Sequence, residues 1–198
     1  VSPIIEDYYE RAEFPKQVLP GLGEIGAFGP YIPVEYGGHG LDQISYGLIM
    51  QELERSDSGL RSTASVQSSL VMYPIWKYGS EEQKQKWIPK LATGEHIGAW
   101  GLTESNTGSD AMRMQVVATK DGDDWVLNGA KNWITHGISG DIAVVLARTG
   151  DLLDSKGITA FVVERGTEGF KAGKKENKLG MRASETAEMI FENCKIPA

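Results

Sequence analysis

The stretch IGAWGLTESNTGSD, Ile97 to Asp110, is where the chain changes character. It opens as a short apolar run, Ile97 to Leu102, with the length and composition of a buried strand. It closes in eight residues, Thr103 to Asp110, dense in hydroxyls, amides and carboxylates. Such a segment sets backbone N–H groups and short side-chain donors at the mouth of a strand, where a flat polar ligand can be held by its edge. A polar turn leaving a strand has the same composition. A second stretch, NGAKNWIT from Asn128 to Thr135, shifts the balance by placing an indole and a hydroxyl on a neighbouring strand.

Upstream, residues 1 to about 95 read as helices. Residues 4–12 look like the end of a helix whose beginning is missing, since apolar and acidic residues start at once with no cap. A second helix is predicted from about Pro15 to Ile25. Within it, Gly21 to Gly26 matches GxGxxG, but the dinucleotide fingerprint requires a strand before it and a helix after it. Here Pro20 and a helical pattern precede it and a Gly/Pro loop follows, so it reads as a helix end closed by glycine. A long helix fits Asp42 to about Ser56, Asp57-Ser58-Gly59 breaks it, and a serine-rich helix fits Leu60 to about Trp76. Ser80-Glu81-Glu82-Gln83 is a capping box opening a last helix, on which Glu82 and Lys86 stand one turn apart. Pro89 and Gly94 are expected to end it.

Downstream, Met112 to Thr119, Trp125 to Asn128, Lys131 to Thr135, Ile142 to Ala147, Ile158 to Val163 and Ala187 to Phe191 are short β-branched or aromatic runs. Asp121-Gly122 and Asn128-Gly129 are hairpin signals. Strands at this spacing without intervening helices imply an antiparallel barrel or sandwich. The expected architecture is α+β: an N-terminal all-helical domain over residues 1–95, then a small antiparallel β-barrel domain over 96–198.

Composition narrows the function classes. The net charge of −7 argues against nucleic acid as the main partner, since phosphate binding needs a basic face. No apolar run reaches the length of a membrane span, and the acidic start lacks the order of a signal peptide. A single cysteine, Cys194, leaves no internal disulfide, and the three histidines show no metal spacing, so no metal is expected. The chain reads as cytoplasmic, or mitochondrial-matrix in a eukaryote.

LTESNTGSD followed by NGAKNWIT resembles the two flavin-contacting motifs of the acyl-CoA dehydrogenases. YGSEEQKQKWIPKLATGE before them and KLGMRASETAEMIFENCKIP after them are similar to the same family, so the resemblance covers nearly the whole chain. It implies FAD as cofactor and an acyl-CoA thioester as substrate, losing an α-proton to a base and a β-hydride to FAD. The family's C-terminal four-helix bundle, which supplies the glutamate base, has no counterpart here. The chain is therefore expected to be a fragment with no catalytic residue of its own, weak in FAD and inactive alone.

The resemblance assigns the pyrimidine end of the flavin to Trp100, Leu102 and Thr103, and the pyrophosphate to Ser109 beside Gly108. It sets Trp133 and Ile134 against the ring and the Thr135 hydroxyl toward its N5. Ser109 and Ser184 match positions that meet substrate, Ser184 at the CoA nucleotide. Arg61 and Ser65, four apart on the serine-rich helix, resemble the glutaryl-CoA dehydrogenase branch, where they hold a distal carboxylate; Arg61 paired with Glu54 or Asp57 is the alternative. NKLGMRASETAEMIF looks closer to short-chain members. An electron-transfer flavoprotein as acceptor and a homo-tetramer are expected by resemblance. An acyl-CoA oxidase or flavin monooxygenase relative, and a non-catalytic module, remain alternatives.

Overall fold

The computed structural model describes residues 1–154 and 156–197. It forms two compact units, one of residues 1–98 with 177–185, the other of residues 99–176 with 186–198.

The first unit is helical: α1 Ser2–Arg11, α2 Leu19–Glu24, α3 Gln43–Ser56, α4 Ser58–Ser65, α5 Tyr73–Tyr78 and α6 Glu81–Ala92. Local chemistry sets most boundaries. Asp42 caps α3 by accepting from the Ser45 N–H at 2.8 Å. Asp57 ends α3 and also caps α4, accepting from the Leu60 N–H at 3.0 Å. The helix thus restarts at Ser58, two residues before the expected Leu60. Both bonds of the capping box form, Gln83 N–H to Ser80 Oγ at 3.2 Å and Ser80 N–H to Gln83 Oε1 at 2.9 Å. The GxGxxG match lies in α2 and its exit: Gly21 and Gly23 are helical and Gly26 turns the chain at φ +74°.

Two helical expectations change. Pro89 sits inside α6 rather than ending it; the helix runs on to Ala92, and Gly94 turns out at φ +74°. Pro89 still accepts from Thr93 N–H, so the last turn loses only the one bond proline cannot donate. The predicted serine-rich helix is one run from Ser58 to Tyr78 whose centre, Val66–Met72, is π-helical. There the buried Gln67 amide donates to the carbonyls of Leu91 and His96 and accepts from Gly98 N–H, while Ser68 Oγ accepts from Gly29 N–H. Residues 177–185 join this unit because Arg182 donates to the carbonyls of Tyr9 and Glu10 at the end of α1.

The second unit is a curled half-barrel of β1 Gly98–Gly101, β2 Val117–Asp121, β3 Asp124–Thr135, β4 Ile142–Arg148, β5 Ile158–Glu164, β6 Phe170–Lys175 and β7 Thr186–Pro197. The order is β1-β4-β2-β3-β7-β6 with β5 on β4; β2–β3, β3–β7, β4–β5 and β6–β7 pair antiparallel, and β2 meets β4 in a short parallel contact. Asp121-Gly122 makes the expected hairpin between β2 and β3. Asn128-Gly129 does not. β3 runs straight through it, because β7 is long enough to pair along its whole length; the register shift there puts the extra residue on β7, where Glu192 and Asn193 face Asn128, and Gly129 follows at φ +130°. The inner face packs Ala118, Leu127, Val145, Phe161, Met189 and Phe191 among others.

Cys194 lies fully buried in this core, and burial pushes its thiol up to about 11. A raised acid stays protonated in the folded chain where the unfolded chain ionises, so its contribution is complete below pH 9 and declines as pH climbs toward 11. Between pH 8 and 10, urea unfolding of the Cys194→Ala variant should therefore lose less stability than the parent chain, by about 1 kcal/mol.

Candidate functional site

In the second unit the polar loop after β1 and the end of β3 meet. Asn132 N–H donates to the Thr103 carbonyl at 2.8 Å, which sets Thr103 one residue from Trp133. β3 loses register with β7 between Lys131 and Ile134, and in that bulge Trp133 adopts φ +61°. A left-handed conformation costs a bulky residue about 1–2 kcal/mol, and such strain gathers where a side chain is re-aimed. The result is an indole 59% exposed at the end of a strand whose next residue, Ile134, is 2% exposed. Thr135 follows, half-buried, opposite Thr186.

Among the described residues, the hydroxyls of Thr103 and Thr135 and the Thr103 N–H bond to no protein atom. Trp100 and Leu102 are half-buried, while Gly108 and Ser109 are exposed. A Cβ added at Gly108 would meet nothing within 4 Å, so nothing inside the chain demands glycine there. The bonds of Lys131 and Asn132 to the Leu102 and Thr103 carbonyls hold this part of the loop beside the end of β3, next to Trp133 in sequence. It turns the Ile134 side chain into the core, leaving only its backbone for a ligand.

What the sequence reading missed lies beneath this loop. Lys131, 0% exposed, donates through Nζ to Glu104 Oε1 at 2.7 Å and to the Leu102 carbonyl at 3.0 Å. The Glu104 carboxylate also accepts from Gln115 N–H at 2.5 Å and Val116 N–H at 2.9 Å. Burial pulls the Lys131 ammonium below the usual lysine range, and the carboxylate beside it opposes that shift. At the far end of the loop the buried Arg148 guanidinium donates to the carbonyls of Met112, Met114 and Asp151. These side chains take the backbone partners of residues 112–116, which explains why β2 starts at Val117 and not at the expected Met112. A signal for Lys131 existed: it occupies an inward position of β3, in step with Leu127, and a lysine there needs a carboxylate.

The substrate candidates in the first unit are less open. Arg61 Nε bonds Glu54 Oε2 at 2.6 Å, the pairing weighed as the alternative; among the described residues its two terminal nitrogens bond no protein atom. Ser65, one turn on, donates to the Ser62 carbonyl at 3.0 Å. Ser184 is 3% exposed and lies against the start of α4, where a Cβ on Gly59 would come within 2.9 Å of its N. Among the described residues no cluster of three or more histidine, cysteine or carboxylate side chains could hold a metal, and no helix is long and apolar enough to cross a membrane.

Comparison with known proteins agrees with this arrangement. The N-terminal domain of acyl-CoA dehydrogenase matches residues 1–95 and the middle domain matches residues 99–194. Isovaleryl-CoA dehydrogenase of Pongo abelii is 45% identical over 195 residues, covering 97% of this chain and 45% of that protein. Glutaryl-CoA dehydrogenase of Mycobacterium smegmatis, solved in complex with FADH2, superposes with a TM-score of 0.94 at 44% identity, over 100% of this chain and 50% of that one. Butyryl-CoA dehydrogenase of Megasphaera elsdenii gives 0.92 at 41% identity, over 100% and 52%. The chain spans about half the length of the curated relatives it matches. With both domain models matched in order, and the polar loop and bulged tryptophan edge inside the second, this chain belongs to the acyl-CoA dehydrogenase family.

Proposed function

We propose that this chain carries the first two domains of an FAD-dependent enzyme that dehydrogenates a short-chain or dicarboxylic, glutaryl-like acyl-CoA between its α and β carbons. The observation that carries the reading is the edge of the β unit. An exposed, strained indole stands beside two threonines whose hydroxyls have no protein partner among the described residues. A planar ring with polar edges fits such a surface. Trp133 offers an aromatic face, Thr103 offers an N–H and a hydroxyl, and Thr135 offers a second hydroxyl. FAD held there by Trp100, Leu102, Thr103, Ser109, Trp133 and Thr135 would supply the acceptor for the β-hydrogen of the thioester, transferred as hydride.

The protein's own part is to bind, orient and exclude water. Trp100, Leu102 and Thr103 hold the pyrimidine end through backbone groups and the Thr103 hydroxyl, which can donate or accept as the ring's charge changes. Ser109, beside Gly108, holds the pyrophosphate. Trp133 keeps water from the transfer path. The α-proton would leave to a carboxylate not among these residues; with part of the cofactor site also supplied from elsewhere, the isolated chain should hold FAD weakly and show no turnover. An electron-transfer flavoprotein as acceptor and a homo-tetrameric parent belong to the same proposal.

Titration of the full-length apoprotein with FAD tests the reading. Trp133→Ala and Thr103→Val should each weaken binding by roughly tenfold, the worth of one aromatic face or one well-placed hydrogen bond in a desolvated site. Unchanged affinity in both would reject it.

For substrate, Glu54 fixes Arg61 through Nε and leaves its terminal nitrogens for a carboxylate, with Ser65 as a further contact, while the more deeply placed Ser184 meets the CoA nucleotide. Arg61→Ala should raise KM for glutaryl-CoA by about tenfold while leaving butyryl-CoA unaffected. Equal rates on both thioesters, indifferent to the substitution, would remove the distal-carboxylate role.

A further inference from the structure

A buried ammonium lies one peptide bond from an amide that has no partner. Lys131 Nζ donates to the Leu102 carbonyl at 3.0 Å, and the same peptide unit carries the Thr103 N–H, which donates to no described residue. When the carbonyl of an amide accepts a charge-assisted hydrogen bond, its N–H becomes a stronger donor, because the two ends of the peptide polarise together.

We propose that Lys131, held by Glu104, is a positioning residue that fixes the Leu102–Thr103 peptide and sharpens its N–H toward the electron-rich edge of a bound flavin. The proposal rests on the reading above, that this loop holds FAD.

Three features show that the device is built rather than incidental. The Glu104 carboxylate cannot swing away, since Gln115 and Val116 N–H groups hold both its oxygens. The next peptide is fixed too, because the Thr103 carbonyl accepts from Asn132 N–H. Gly101 lines the corridor for the lysine stem: a Cβ there would stand 3.4 Å from Lys131 Cγ. Arg148, by contrast, bonds through its guanidinium, among the described residues, only the carbonyls of residues 112, 114 and 151, so its charge braces the far end of the loop without touching this peptide.

The test compares E104Q with K131M/E104Q in the full-length holoprotein. E104Q keeps the Lys131 Nζ donor on the Leu102 carbonyl, whereas the double variant removes that donor and leaves no charge buried. Readouts are the FAD dissociation constant of the apoprotein, the flavin midpoint potential, and the apoprotein melting curve. Relative to E104Q, the double variant should bind FAD about tenfold more weakly and show a more negative potential, since the reduced ring's charge loses a strengthened donor. A double variant that folds and matches E104Q in affinity and potential overturns the proposal while the FAD reading stands. Wild-type apoprotein that takes up no FAD defeats the reading itself, and this inference with it. If K131M/E104Q gives no cooperative melt, K131Q/E104Q, which keeps a neutral donor, serves in its place, and a potential equal to that of E104Q is again the overturning result.

Discussion

Replacing Lys131 alone by methionine is expected to destabilise the chain by about 3–5 kcal/mol, the usual consequence of leaving one charge of a buried pair without its partner. The Glu104 carboxylate would remain among Leu102, Gln115 and Val116 with only two backbone N–H groups to answer it. K131M/E104Q should recover part of that loss, because no charge is then buried. What persists is the Gln115 or Val116 N–H that a glutamine side chain can no longer satisfy. Urea unfolding of wild type, both single variants and the double variant gives the coupling directly. A coupling energy below about 0.5 kcal/mol would mean that the two side chains act independently, contrary to their 2.7 Å contact.

The second large effect is expected at Gly129. Its φ of +130° lies where side-chain-bearing residues are strained, and an added Cβ would come 2.8 Å from Val116 Cγ2 and 3.0 Å from Val116 Cα. Gly129→Ala should therefore lose about 2–4 kcal/mol, combining backbone strain with a contact the backbone cannot easily relieve. Gly122→Ala provides the comparison. That residue turns at φ +61° with nothing within 4 Å of an added Cβ, so the loss should be only about 1 kcal/mol. Equal losses at the two sites would show that the backbone at Gly129 is freer than its geometry implies.

Local chemistry was legible wherever one or two neighbouring residues decide the outcome. Asp42 and Ser80 announce helix starts because their side chains accept from N–H groups three residues on, and both bonds are present. Asp121-Gly122 announces a hairpin for a similarly local reason. Asn128-Gly129 offers the same dipeptide signal and fails, since β7 supplies a partner on both sides of it and makes an unbroken strand the better pairing. β6, Phe170–Lys175, went unread because its burial is slight and its lysines hide the alternation of a strand; only pairing with β7 makes it one.

The candidate site divides in the same way. The sequence by itself determined the helical and β halves, the polar loop and the tryptophan strand, because hydrophobic period and turn residues act over a few positions. Only the tertiary structure decided that Trp133 swings out at a bulge and that Ile134 goes into the core. It also decided that Lys131 and Glu104, 27 residues apart, close on the Leu102 carbonyl. A bulge is a mismatch between two strands, and a buried charge is tolerable only where a distant partner arrives. Neither is a property of the residue that carries it.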